Sequence, residues 1–149
     1  MADELEKKFK QFIEYVFHIE RKSDKCCSSK DSENFNCPCC NYPTLPERGS
    51  YYICPLCFWE DDGQDEPFCE EVWNGPNGDY SLREARNNFS DYLTYYRPDD
   101  KEMFEKQKEK EHLKINLIQK FEQLKIEKCP ITSKKIKNDI ENLKLKLIS

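Results

Sequence analysis

Two cysteine pairs hold the clearest chemistry in this sequence. Cys37 and Cys40 form one C-x-x-C, Cys54 and Cys57 form a second, and thirteen residues separate the pairs. Each tight turn aims two sulfurs at one point, so together they offer four thiolates to a tetrahedral zinc ion. Proline follows the first cysteine of each pair (Pro38, Pro55) and preforms the turn. Asn41 follows the first pair, and asparagine is the residue other than glycine that best tolerates positive φ. Between the pairs, Tyr51-Tyr52-Ile53 has the aromatic and β-branched character of a short strand entering the second turn. The spacing predicts a zinc ribbon. Cys39, inside the first turn, could replace Cys40 as ligand or stay a weakly reactive thiol. Cys26, Cys27, Cys69 and Cys129 have no partner at ligand spacing and read as buried or idle. Disulfides, a redox dithiol and an iron–sulfur cluster are the competing uses of paired cysteines. The acidic start of the chain lacks the basic-then-apolar pattern of a secretory signal, which favours metal and a cytoplasmic setting.

A second cluster follows the second pair directly. Glu60, Asp61, Asp62, Asp65, Glu66, Glu70 and Glu71 place seven carboxylates within twelve positions, with no basic residue among them. A solvated loop is the plain reading. A hard-cation site is another, although the spacing does not fit the twelve-residue EF-hand loop. A third is a docking surface for a basic protein, in which Glu60, Asp61, Asp62, Asp65 and Glu66 supply charge and Trp59 and Trp73 supply anchors. Arg83 and Arg86, on the helix that follows, can neutralise two of the carboxylates and leave a surplus.

Other chemistry is missing. The two histidines, His18 and His112, lie in the flanks, with no Cys–His or Ser–His spacing and no glycine-rich phosphate loop. A four-cysteine zinc site is closed and has no open position to activate water. Residues 31–99 carry a net charge of −10, which repels phosphate and disfavours nucleic acid. No apolar run is long enough to span a bilayer.

The same charge count divides the chain, since residues 1–30 are net +1 and residues 100–149 net +4. The middle also holds all four glycines, seven of the eight prolines and thirteen of the nineteen aromatics, so it reads as a turn-rich unit between helical flanks. In residues 1–30, Leu5, Phe9, Phe12, Ile13, Val16 and Phe17 recur at helical spacing and predict an amphipathic helix with a polar linker after it. Ser81 and Glu84 predict a capping box, opening a helix whose apolar face is Leu82, Ala85, Phe89 and Leu93. In residues 100–149, one helix runs from Met103 to Ile126, Cys129-Pro130 breaks it, and Thr132 or Ser133 caps another. The economical arrangement is a helical hairpin whose apolar seam faces its own partner or the first helix. A coiled coil between chains is the competing use of that seam.

Across residues 35–97 the motifs Cys37-Pro38-Cys39-Cys40, Tyr52 through Gly63, Gly75-Pro76-Asn77 and Ser81 through Phe89 resemble the bacterial cysteine-rich CPCC family in order and spacing. The resemblance implies a small zinc-ribbon-like domain and no particular reaction. Family members usually carry glycine where this chain has Asn41 and Asn74, which implies left-handed turns at both. The helical flanks lie outside it.

The combined reading is an α+β protein with zinc held by Cys37, Cys40, Cys54 and Cys57. Its expected role is that of a non-catalytic, zinc-stabilised module that binds a basic protein, of the immunity or antitoxin type. The alternative is a thiol redox or metal-dependent enzyme using Cys39 or the carboxylates.

Overall fold

The computed structural model describes residues 34–149. The predicted N-terminal helix, His18, Cys26 and Cys27 lie outside the described residues. The rest is α+β, with a two-stranded antiparallel sheet and four helices among the described residues. Strand β1 (Phe35–Asn36) pairs with β2 (Pro43–Leu45) across the first cysteine turn, in a register that slips between Phe35 and Asn36. The second cysteine turn closes a hairpin held by less pairing than the aromatic run suggests. Ile53 and Glu60 form an isolated bridge, Tyr51 N–H donates to Asp61 O, and Asp61 N–H donates to Tyr52 O. Tyr51, Tyr52 and Ile53 are exposed, and so the run packs no second face that would extend it into a strand.

Helix α1 (Leu82–Tyr92) begins as its sequence requires. The Ser81 side chain accepts from Glu84 N–H at 3.1 Å, and Leu82, Ala85, Phe89 and Leu93 are buried. The reciprocal half of the capping box is not made. Glu84 instead takes Arg97 in a bidentate pair at 2.8 and 2.9 Å, a stronger charge-assisted contact than a return to the Ser81 N–H. Leu93 ends the helix in the left-handed region (φ 60°), with its N–H on Phe89 O.

The expected single helix from Met103 to Ile126 is two. Helix α2 (Lys101–Glu109) and helix α3 (Glu111–Ile126) meet at Lys110, with no glycine or proline there to announce the break. Each piece serves a different neighbour. Phe104 of α2 stacks edge-on to Tyr92, 5.3 Å between centroids, and α3 turns toward the cysteine region. Lys110 Nζ crosses to Leu147 O at 2.8 Å, satisfying a carbonyl at the end of helix α4 (Pro130–Ile148). Helix α4 starts earlier than Thr132 or Ser133. Pro130 occupies its first turn, and Glu127 accepts from Cys129 N–H at 2.9 Å. Helices α3 and α4 pack together, with Leu117, Ile118 and Phe121 of one and Ile136, Ile140 and Leu147 of the other buried, and Lys120 pairs with Asp139 at 3.1 Å. Among the described residues no helix is long and apolar enough to cross a membrane.

Candidate metal centre

The two cysteine turns are built alike. In the first, Cys37 N–H donates to Tyr42 O (2.9 Å) and Asn41 N–H to Cys37 O (2.8 Å). In the second, Cys54 N–H donates to Trp59 O (2.9 Å) and Phe58 N–H to Cys54 O (2.9 Å). The residue after each second cysteine is left-handed, Asn41 at φ 62° and Phe58 at φ 73°. The first follows from the tolerance of asparagine; the second does not follow from its residue type. Asn74 is also left-handed at φ 52°, as the substitution for glycine implies. Asn41 is exposed and loses no packing when changed. Asn41→Gly should therefore leave stability near the wild type, whereas Asn41→Ala should lower it by about 1 kcal/mol in urea denaturation, since an ordinary side chain is strained there.

These turns bring Cys37, Cys40, Cys54 and Cys57 together, all buried, with ligand atoms within 4.8 Å of one another. Cys37 Sγ lies 3.6 Å from Cys57 Sγ, and Cys40 Sγ lies 3.7 Å from Cys54 Sγ. A disulfide would need about 2.0 Å. Four sulfurs at about 2.3 Å from a central ion in a tetrahedron stand about 3.8 Å apart. The observed spacing matches that edge, so the four residues fit a metal ion. Thr44 Oγ1, 3.0 Å from Cys54 Sγ, adds a hydrogen bond across the cluster.

Electrostatics point the same way. Burial pushes the Cys37, Cys40 and Cys57 thiols well up. Burial opposes ionisation of Cys54 as well, but hydrogen bonds from the other three cysteines and Thr44 outweigh it and hold that thiol well down. Four thiolates buried this deeply would need a divalent ion among them. Cys39 is buried within the first turn, and burial raises its thiol too. Cys69 is buried, its Sγ 3.2 Å from Glu66 Oε2, whereas Cys129 is exposed.

The family model for cysteine-rich CPCC proteins matches residues 35–111, just over half of the chain. The chain belongs to the cysteine-rich CPCC family. The match reaches beyond residue 97, taking in α2 and stopping where α3 starts, so the α3–α4 hairpin is an addition to the CPCC region. Comparison with curated proteins and with solved structures finds no match.

Four of the seven carboxylates of the acidic loop are paired from within. Arg48, which sequence reasoning passed over, donates to Asp61 Oδ2 and to Asp65 Oδ2, both at 2.8 Å. Arg86 pairs with Glu66 at 2.6 Å while its Nε donates to Pro38 O, tying the loop to the first cysteine turn. Arg83 pairs with Glu70 at 3.0 Å. Two expected docking residues are interior. Trp59 has no exposed surface and packs edge-on to Tyr95, because the turn that carries it folds back over the cysteines. Asp61 is also fully buried, accepting from Gly49 and Gly63 N–H besides Arg48. Neither can meet a partner. The Asp61 and Asp65 oxygens, offered above to a hard cation, already face the Arg48 guanidinium. Among the described residues Glu60, Asp62 and Glu71 have no ion pair, and Trp73 is exposed with its Nε1–H on Glu71 Oε2 at 3.0 Å.

Proposed function

We propose that this protein is a non-catalytic, zinc-stabilised module that binds a basic protein partner through the acidic side of its CPCC region. The observation that carries the zinc half is the match between the sulfur spacing and the edge of a zinc–thiolate tetrahedron. Zinc suits four thiolates and completes a closed zinc ribbon, leaving no position for a reacting water. Cys39, buried with its thiol raised, is the opposite of an activated nucleophile, so the enzyme reading has no specific support. The protein half rests on Glu60, Asp62 and Glu71, free of ion pairs among the described residues, beside exposed Trp73 and Phe68. Asp65 and Glu66 stand at its margin, already engaged by arginines. An immunity or antitoxin-type protein masking a basic partner is the form we favour.

The protein should purify with one zinc per chain. Glu60→Gln, Asp62→Asn and Glu71→Gln together should leave zinc content and melting temperature unchanged. In affinity capture from native lysate, the wild type should retain a basic protein that this triple variant binds more slowly, and the difference should shrink as salt rises. Equal capture by both at every salt concentration would refute the acidic surface.

A further inference from the structure

Lys114, at the end of the first turn of the added hairpin's first helix, is 1 % exposed. Its Nζ donates to Leu93 O at 2.7 Å, and no carboxylate among the described residues lies within ion-pair distance of it. An ammonium removed from water without a counter-charge costs several kcal/mol, so buried lysines are paired. Here the available negative charge is sulfur. Burial draws the Lys114 amine down to about 8, and charge on Cys57, then Cys54, then Cys40 pulls it back up ahead of Glu111.

The backbone explains this proximity. Leu93 ends α1, and the two residues after it bind the second cysteine turn. Tyr95 N–H donates to Cys57 O at 3.0 Å, and Thr94 Oγ1 donates to the same carbonyl at 3.4 Å. Lys114 therefore stands behind the second turn. Seven residues along the same face of α3, Phe121 stacks on Tyr42 at 5.4 Å, and the Tyr42 carbonyl accepts the Cys37 N–H of the first turn. Tyr42 OH also donates to Glu122 at 3.1 Å. One helix face thus spans both turns, with its one buried cation behind the second.

Four thiolates around a divalent ion carry a net charge of −2. We propose that Lys114 is the buried counter-cation of the loaded four-cysteine centre, so that metal binding and docking of the α3–α4 hairpin favour each other. The proposal rests on the metal reading above, and coupling of this kind is reciprocal. It gives the hairpin a role toward the metal site that the matched CPCC residues do not supply themselves.

The test is cobalt(II) titration of the full chain, comparing the wild type with Lys114→Met and Lys114→Gln. Glutamine keeps an N–H donor for Leu93 O but not the charge, and it decides the matter if the methionine variant fails to fold. A nearby cation stabilises the sulfur electrons, so its loss should shift the sulfur-to-cobalt charge-transfer band to longer wavelength. Cobalt affinity should fall about tenfold, within the usual range of coupling between sites. Unchanged band position would overturn the proposal, even with weaker binding, because a merely structural lysine would alter affinity without altering the sulfur electrons. If the wild type itself shows no tetrahedral thiolate spectrum, the metal reading falls and takes this proposal with it.

Discussion

Replacing Cys54 with serine should abolish metal uptake and unfold the cysteine-rich region. Cys54 is fully buried, sits 3.7 Å from Cys40 Sγ, and lies 3.0 Å from Thr44 Oγ1. Very little regular structure stands behind it. The sheet is a two-residue strand paired with a three-residue one, and the second hairpin has a single isolated bridge. A sheet that small does not hold itself together in water. Structural zinc in peptides of this kind contributes about 10–16 kcal/mol at neutral pH, comparable to the whole stability of an ordinary domain. A chelator should therefore act on the wild type as the substitution does. The readouts are metal content and the near-ultraviolet circular dichroism of Trp59, whose ring is locked against Tyr95 only in the folded state. Acid should release the metal as well. Burial raises the Cys37, Cys40 and Cys57 thiols, so uptake must displace protons from them, and affinity falls as pH falls. A serine variant that binds one metal per chain with native dichroism would overturn the metal centre.

The second large effect is expected at Asp61. Its carboxylate has no exposed surface and accepts from Arg48 Nε and Gly49 N–H at 2.8 Å and from Gly63 N–H at 3.2 Å. Gly49 and Gly63 lie at φ 70° and 91°, in the left-handed region, where their N–H groups turn toward this one side chain. Asp61→Asn presents an NH2 to a site made only of donors and removes the charge facing Arg48. The loss should be about 2–3 kcal/mol, the penalty for leaving buried donors unsatisfied beside a charged group. For a chain of this size that corresponds to a fall in melting temperature on the order of 5–10 °C. The triple substitution at Glu60, Asp62 and Glu71 touches no ion pair and should not move it. Thermal unfolding of the two variants side by side separates structural carboxylates from free ones. Equal melting temperatures would show that Asp61 contributes no more than a surface acid. The sequence-based expectation of a surplus across the loop counted only Arg83 and Arg86, and Arg48 is what sets Asp61 apart.

What could be read directly from the sequence is local. The C-x-x-C turns, their prolines, the left-handed asparagines, the Ser81 cap and the apolar face of α1 each depend on residues within about a turn of one another. Their backbone conformations follow from nearby sterics and hydrogen bonding. The tertiary structure decided whatever depends on which faces meet. Nothing near Trp59 or Asp61 distinguishes them from exposed neighbours of the same type, because their burial is set by Tyr95, by Arg48 and by Gly49 on an earlier loop. The helix break at Lys110 has no local cause and serves two distant contacts, Phe104 with Tyr92 and Lys110 with the end of α4. Lys114 is the clearest case. In the sequence it is one of thirteen lysines in residues 100–149. Only the packing of α3 on residues far behind it in the chain makes it a buried cation behind the second cysteine turn, because desolvation and charge act through space and leave no pattern along the chain.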